Sequence, residues 1–175
     1  IKCFIFENNY RKFYLGFSNG AVMQYNAGNG SLIKAINESE IEKDGIQTFK
    51  YDHSKEISAL FYFYQFRKYE SNFILITCGL DSLINVYNEH NPEETEKLRA
   101  VKGGHTVNAK RNEILCMDFS LLMCSLVTGS TNGLVVLWDF EMSKIDDVCY
   151  ISPSSCKGKS DVIHVKFLEP YPMIF

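Results

Sequence analysis

Residues 125–139, SLVTGSTNGLVVLWD, form two apolar runs separated by a short polar turn. Asn132-Gly133 in the turn is typical of a β-hairpin, because both residue types tolerate the positive φ that a type I′ turn requires. In the strand predicted after the turn, the residues on both faces are apolar, and Trp138 is the largest of them. We therefore expect this strand to be buried on both sides, between packed sheets.

Two other segments repeat this pattern. Each copy has an Asn or Asp, then a small residue, then an apolar strand with an aromatic residue six positions after the Asn or Asp. Such a recurrence indicates a repeated structural unit. The copies lie at 16–26, 78–88 and 129–139, and the pairs are Asn19 with Tyr25, Asp81 with Tyr87, and Asn132 with Trp138.

A second signature precedes each copy and occurs once more near the end of the chain. It consists of an aliphatic residue, an apolar residue three positions later and an aromatic residue five positions later. The two signatures begin 15 residues apart in the first and third copies, from Ile1 to Gly16 and from Ile114 to Gly129, and 21 apart in the second. Matched spacing of two independent signatures supports internal repeats. The occurrences are Ile1/Phe4/Phe6, Ile57/Leu60/Tyr62, Ile114/Met117/Phe119 and Val162/Val165/Phe167.

The repeats predict an all-β chain of four-stranded antiparallel meanders. Their starts are 56, 57 and 48 residues apart, and four short strands per unit at this spacing are typical of β-propeller blades with long connecting loops. We expect three complete blades and the start of a fourth, in a fragment of a larger propeller. The predicted units are 1–36, 57–101 with flanking insertions, 114–151 and 162–175.

Three polar segments interrupt the predicted strands. Residues 37–56 are interpreted as a solvated excursion with at most one turn of helix around 38–43. Residues 67–72 are interpreted as a charged insertion within the second unit, and 88–113 as a long excursion with an outer strand near its middle. We expect the first and third segments to emerge on one edge of the sheets and the second on the opposite edge.

The motifs together resemble those of WD-repeat β-propellers. The resemblance is carried by 126–139, and in weaker form by FYLGFSNGAVMQYN at 13–26 and ILITCGLDSLINVYN at 74–88. One unit ends in Trp138-Asp139, whereas the other two end in Tyr-Asn. The long connections and the final segment DVIHVKFLEPYPMIF resemble those of large multi-propeller proteins of cilia and flagella, which implies a cytoplasmic, axonemal location.

This resemblance also implies a structural role for several polar residues. The family's Gly-His pair corresponds in part to Asp52-His53, four residues before Ile57, while Gly104-His105 lies nine residues before Ile114. Propellers of this family use buried polar networks as internal ties, so we expect His53, Asp81 and Thr77 to interact. The residues given structural roles are Asn19, Gly20, His53, Asp81, Asn132, Gly133, Trp138 and Asp139.

Composition and charge narrow the classes of function. A formal net charge of −3 gives no electrostatic reason to expect binding to nucleic acid or an anionic membrane, and no apolar run is long enough to span a bilayer. Six cysteines form no CxxC pair, so we expect free thiols in a reducing compartment. Four histidines and these cysteines show no metal-ligand spacing, and we predict no cofactor or metal.

A propeller-based hydrolase is the alternative of another class. Residues 16–20 match G-x-S-x-G, the nucleophile elbow, which requires a strand before the serine and a helix after it. The sequence after Ser18 predicts a strand, so a hairpin turn is favoured. A further alternative is a propeller that binds phosphoinositide or nucleic acid, which would need a basic surface; here the basic residues are interleaved with acids and lack stacking aromatic residues.

The favoured function is a non-catalytic scaffold that contacts other proteins of a multi-subunit complex. Loops on a rigid framework carry most binding residues, and the long segments have charges of both signs, which suits specific protein contacts. We expect no small-molecule substrate. The predicted contact residues are Glu38, Lys43, Glu94, Lys97, Arg99, Lys102, His105, Lys110 and Arg111.

Overall fold

The computed structural model describes residues 1–43, 46–67, 70–89, 95–101, 106–107, 110–139, 149–151, 160–171 and 173–174. In these ranges the chain is all-β, as predicted, with three four-stranded antiparallel sheets and two two-stranded ones. No helix in the described ranges is long and apolar enough to cross a membrane.

Sheet 1 is a meander of four strands in sequence order. Its strands are β1 (Cys3–Phe6), β2 (Lys12–Gly16), β3 (Val22–Asn26) and β4 (Leu32–Ala35).

Two sheets of the same topology follow along the chain. Between sheets 1 and 2 lies a separate hairpin of β5 (Glu38–Lys43) and β6 (Ile46–Tyr51). Sheet 2 contains β7 (Ile57–Arg67), β8 (Glu70–Gly79), β9 (Ile84–Asn88) and β10 (Glu96–Val101). After a two-stranded pair of β11 (Thr106–Val107) and β12 (Lys110–Arg111), sheet 3 contains β13 (Ile114–Ser120), β14 (Ser125–Ser130), β15 (Val135–Asp139) and β16 (Cys149–Ile151).

The polar segments are more ordered than the sequence analysis predicted. Residues 38–43 form strand β5 of a hairpin rather than a turn of helix, so that interpretation is wrong. Arg67 and residues 70–72 of the charged insertion belong to strands rather than to a loop, because β7 and β8 stay in register out to Arg67 and Glu70. In both places the chain continues as paired antiparallel strands despite the local charge.

Strand β10 also changes where the long segment 88–113 lies. We call the edge that carries the Asn19-Gly20, Asp81-Ser82 and Asn132-Gly133 turns the tight-turn edge. Because β10 pairs antiparallel to β9, it returns the chain to the tight-turn edge. Glu96, at the start of β10, therefore lies at the opposite edge, and Val101, at its end, lies at the tight-turn edge, which corrects the prediction of a single excursion on one edge.

The three tight turns share one geometry. The side-chain oxygen of each Asn or Asp accepts from the backbone N–H two residues later, at 3.1 Å for Asn19, 3.2 Å for Asp81 and 3.2 Å for Asn132. Positive φ falls on the following residue, which is glycine in two copies and serine in the second. The predicted type I′ turn is therefore wrong, because the Asn or Asp keeps negative φ and its side chain closes the turn.

The sheets pack against one another through apolar faces. Tyr14 and Val22 of sheet 1 lie in one buried cluster with Tyr62 and Leu75 of sheet 2. A second cluster joins the other face of sheet 2 to sheet 3 and includes Trp138. Strand β15 packs into this cluster through one face and into a third cluster through the other, as predicted for a strand buried on both sides.

The chain after sheet 3 repeats the first junction. Val162 N donates to Ser130 O (3.1 Å), as Ile57 N donates to Phe17 O (3.1 Å). Val165 and Phe167 are buried against sheet 3. Residues 161–166 form no regular strand, and an isolated antiparallel bridge joins Phe167 to Ile174. Phe175, placed in the predicted second strand of this unit, lies outside the described residues.

Three of the four cysteines whose side chains the structure describes lie on strands of the main sheets. Cys3, Cys78, Cys116 and Cys124 are free, and burial raises the pKa of the Cys116 thiol to about 11. Cys124 lies in the β13–β14 turn with φ of 47°. The side chains of Cys149 and Cys156 lie outside the described ones.

Glycine at position 16 is required by the close approach of sheets 1 and 2. A Cβ there would lie 2.6 Å from Cys3 Sγ and 2.7 Å from Ile57 Cγ2. We expect Gly16→Ala to lower the free energy of unfolding by about 1–3 kcal/mol, because a packed junction must open to admit the methyl group. Chemical denaturation measures this. Gly28→Ala, in an exposed turn, is the control and should change stability by less than about 0.5 kcal/mol; equal effects would contradict the packing argument.

Candidate functional site

A fully buried histidine connects the segment before β7 to sheet 2. His53 Nδ1 lies 3.0 Å from Asp81 Oδ1, and its Nε2 lies 2.8 Å from Thr77 Oγ1 and 3.0 Å from Asn85 Nδ2. The carboxylate only accepts, so Nδ1–H donates to Asp81, and Nε2 accepts from the hydroxyl and the amide. The network fixes the imidazole on both sides and holds the connection to β7 at the tight-turn edge.

The Asp81 carboxylate accepts most of the hydrogen bonds of this network. Besides His53, it accepts from the backbone N–H of Ser54 (2.8 Å) and of Leu83 (3.2 Å). Burial of the carboxylate favours its neutral form, but the hydrogen bond from His53 and the two backbone donors outweigh burial and lower the pKa of Asp81. These contacts tie a turn to a connector, which is a structural use of buried polar groups.

The other residues given structural roles are spread over the tight-turn edge and the sheet interior. Asn19-Gly20 and Asn132-Gly133 form the turns before β3 and β15. Trp138 is buried, and its Nε1–H donates to Thr128 Oγ1 (2.8 Å). Asp139 ends β15 and is exposed.

A second group of polar contacts, centred on Asp52, lies beside the His53 network. Asp52 accepts from the Tyr87 hydroxyl (2.8 Å) and forms an ion pair with Lys97 Nζ (2.9 Å). Burial and the Asp52 charge raise the pKa of Tyr87 well above its ordinary value. Lys97, predicted to contact a partner, thus joins the outer strand of sheet 2 to the segment that follows β6.

The β5–β6 hairpin projects from a fixed base at the tight-turn edge. Asp52 N donates to Asn37 O (3.0 Å) across the base. The Asn37 side chain in turn donates to Gly20 O (2.7 Å) and accepts from Val22 N (2.8 Å). Among the described strands, β5 and β6 pair only with each other. The hairpin is therefore an appendage with a hydrogen-bonded base rather than part of a four-stranded sheet.

This hairpin exposes both charged and apolar side chains. Glu38, Glu40 and Lys50 are exposed, and so are Ile41 and Phe49. Glu40 pairs in register with Phe49, which sets a carboxylate beside an aromatic ring on one face. Charged and apolar groups held side by side on an exposed hairpin suit contact with a protein surface.

The remaining predicted contact residues are divided between described strands and undescribed segments. Lys43 lies in β5, Arg99 in β10, and Lys110 and Arg111 in β12. Residues Glu94, Lys102 and His105 lie outside the described ones.

A buried carboxylate that the sequence analysis missed joins sheets 1 and 2 near the opposite edge. Glu89 accepts from the Tyr14 hydroxyl and from Gln24 Nε2 (3.0 Å), and Lys34 Nζ lies 3.6 Å away. Burial and the Glu89 charge raise the pKa of Tyr14 well above its usual range. An adjoining cleft of about 120 Å³ is lined by Tyr62 and charged residues of sheet 1. The signal that could have found this cluster is Gln24, a polar residue inside an apolar strand.

The other candidate chemical sites are the G-x-S-x-G match and a metal site. Ser18 of the G-x-S-x-G match lies in the β2–β3 turn, and strand β3 follows it where a nucleophile elbow requires a helix. Within the described ranges, no three His, Cys, Asp or Glu side chains come together as a possible metal site.

Comparison with known proteins gives a likeness in fold alone. No family model matches the sequence, and no curated protein matches it. Among solved structures, the computationally designed Ika8 protein matches 95% of the chain and the designed Ika4 protein matches 91%, with TM-scores of 0.57 and 0.55 and 18% identity each. The chain spans 39% of the length of Ika8 and 75% of that of Ika4. At this identity, the likeness establishes an all-β arrangement of antiparallel sheets.

Proposed function

We propose that this chain is part of a WD-repeat β-propeller that acts as a non-catalytic scaffold, contacting other proteins of a multi-subunit complex. The candidate setting is a ciliary or flagellar axoneme, on the resemblance of its long connections and final segment. In this proposal the stacked sheets supply rigidity, and the segments projecting from their edges supply the contacts.

The propeller architecture is supported by the recurrence of one junction. Sheet 1 meets sheet 2, and sheet 3 meets the segment after it, through the same backbone hydrogen bond and a glycine that receives an aliphatic side chain. In the first junction Gly16 receives Ile57, and in the second Gly129 receives Val162. Repetition of one stacking step is the principle of radially repeated sheets.

The scaffold role is supported chiefly by the β5–β6 hairpin, which projects from a hydrogen-bonded base. It exposes Ile41 and Phe49 among charged side chains, while its base is held by Asn37 and Asp52. An exposed hairpin with a fixed base presents contact groups at little cost in conformational entropy. We therefore assign the main partner contact to this hairpin rather than to residues 88–113, whose central strand belongs to sheet 2.

Replacement of residues 38–51 by two glycines tests the assignment. Because Asn37 O already accepts from Asp52 N, the linker joins two adjacent points and leaves the sheets intact. We expect the melting temperature to change by no more than a few degrees, and proteins that co-purify with the intact chain from extract of its source cells to be lost. Far-UV circular dichroism and quantitative mass spectrometry provide the two measurements.

Two point variants make this experiment specific. Phe49→Ala keeps the hairpin and removes its most exposed aromatic side chain, so it should weaken partner recovery severalfold. Leu122→Ala removes an equally exposed apolar side chain from the β13–β14 turn and should leave recovery unchanged. Full recovery of partners after excision of the hairpin, with the fold retained, would show that partners do not bind at this edge.

A further inference from the structure

The β5–β6 hairpin has two faces of different chemistry. Residues directly opposite one another in an antiparallel pair lie on the same face, and successive residues of a strand lie on opposite faces. One set of described side chains, which we call the acidic–aromatic face, contains two carboxylates and two aromatic rings, whereas the other set contains a lysine and uncharged groups. The opposed pairs are Glu38 with Tyr51 and Glu40 with Phe49 on the first face, and Ser39 with Lys50 and Ile41 with Thr48 on the second.

The two carboxylates of the acidic–aromatic face differ in their contacts. The Glu38 carboxylate accepts from the Tyr51 hydroxyl, and slight burial together with this carboxylate raises the pKa of Tyr51 above its ordinary value. Within the described part of the chain, Glu40 has no ion-pair partner. Glu40 is exposed, and Phe49 opposite it is 61% exposed. Glu40 thus carries a charge that no described residue neutralises, beside an open aromatic ring.

A guanidinium group matches this pair of side chains. A carboxylate accepts two parallel N–H bonds from a guanidinium, and the face of a ring attracts a cation that lies within about 6 Å of its centroid. Directly opposed residues have Cβ atoms about 5 Å apart, so one guanidinium can contact both Glu40 and Phe49. A lysine ammonium can pair with the carboxylate, but it offers neither the planar bidentate contact nor stacking on the ring. Arginine is therefore the side chain that fits this pair best.

The spacing of the two carboxylates indicates the conformation of the segment that carries the arginine. Glu38 and Glu40 are two positions apart on one strand, so their Cα atoms lie about 6.8 Å apart. Alternate residues of an extended segment have the same spacing and lie on one side of it. An extended segment with arginine at alternate positions can therefore place one guanidinium at each carboxylate. The formal net charge of −3 adds a general attraction for such a segment.

We propose that the acidic–aromatic face of the β5–β6 hairpin binds an extended segment of a partner protein that carries arginine at alternate positions, with one guanidinium held between Glu40 and Phe49. This inference rests on the partner contact that is proposed above for the hairpin, and it specifies the chemistry of the partner's contacting segment. The second face of the hairpin carries Lys50, whose charge repels such a segment. Recognition therefore uses one face of the hairpin.

Charge reversal at Glu40 tests the proposal with the natural partners. Glu40→Lys should lower the recovery of proteins that co-purify from extract of the source cells by about tenfold. Glu40→Gln keeps the size of the side chain and should lower recovery by about threefold. Glu96→Lys makes the same change in net charge at an exposed position at the start of β10, and it should leave recovery unchanged.

A defined peptide tests recognition without the natural partner. The probe is a fluorescein-labelled peptide of about nine residues in which arginine alternates with threonine, and fluorescence anisotropy measures its binding to the full chain. We expect binding to the parent to be at least about fivefold tighter than binding to Glu40→Lys or to Phe49→Ala. A matching peptide of lysine and threonine should bind the parent more weakly, and so should a peptide of the same composition with its arginines adjacent.

The outcomes separate this inference from the hairpin contact itself. If excision of residues 38–51 and Phe49→Ala remove the partners but neither Glu40 variant does, the hairpin remains the contact and a basic segment is excluded as its partner. Full recovery of partners after excision overturns both. Equal binding of the alternating arginine peptide to the parent and to Glu40→Lys overturns the present inference, as does equal or tighter binding of the lysine peptide or of the peptide with adjacent arginines.

Discussion

Replacement of Trp138 by alanine is expected to lower the free energy of unfolding by about 3–5 kcal/mol, close to the whole stability of many small domains. The side chain is buried in the cluster that joins sheets 2 and 3, and its indole N–H donates to Thr128 Oγ1. Truncation leaves a cavity at a junction where two sheets meet, so neither sheet can close it alone. Urea denaturation followed by circular dichroism measures the loss.

A graded pair of variants separates packing from hydrogen bonding. Trp138→Phe keeps most of the buried volume and removes the indole N–H, so we expect a loss of about 1–2 kcal/mol. Leu122→Ala is an exposed control and should lie within about 0.5 kcal/mol of the parent. A loss below about 1 kcal/mol for Trp138→Ala would mean that this strand does not lie between two packed sheets.

The strands of the main sheets are predictable because two local signals coincide there. Asn132-Gly133 indicates a turn, and the apolar residues on both sides indicate strands, so local geometry and burial agree. The turn type itself was predicted wrongly. The Asn side chain accepts from Leu134 N and closes the turn with negative φ, and a dipeptide preference alone does not distinguish the two solutions.

The β5–β6 hairpin was missed because its residues do not form a core. Glu38, Glu40 and Lys50 are exposed, so no alternation of apolar and polar positions marks the strands. Asp44-Gly45, in the sequence between the two strands, is a hairpin signal that could have indicated them. Polar composition was interpreted as solvated loop, although an exposed two-stranded hairpin has the same composition.

The candidate site was only partly predictable for a different reason. His53 and Asp81 are 28 positions apart, and the repeat pattern placed both at the same edge of sheet 2. The Glu89 cluster joins Tyr14, Gln24 and Glu89, whose sequence separations reach 75 positions. Its members lie at unrelated positions of two repeats, so only the packing of sheet 1 on sheet 2 brings them together.

Loss of the Asp81 carboxylate is expected to be the second large effect. Asp81→Ala leaves the buried His53 Nδ1–H and the partly buried backbone N–H groups of Ser54 and Leu83 without their acceptor. Unpaired buried donors are costly, and we expect a loss of about 2–4 kcal/mol. Asp81→Asn retains a neutral oxygen acceptor and should cost less. Denaturant titration at neutral pH measures both, and an Asp81→Ala loss within about 0.5 kcal/mol would contradict the network.

The same carboxylate predicts how stability depends on pH. Its pKa is lowered in the folded chain below the value of about 3.9 expected when unfolded, so its stabilisation is fully present above that value and is lost as the pH falls through the folded pKa. The parent should therefore lose stability more steeply than Asp81→Asn when the pH is lowered from about 5 towards 2, and the two curves should converge in acid. Parallel curves across that range would show that His53 and the two amide groups do not stabilise the ionised form of Asp81 in the folded chain.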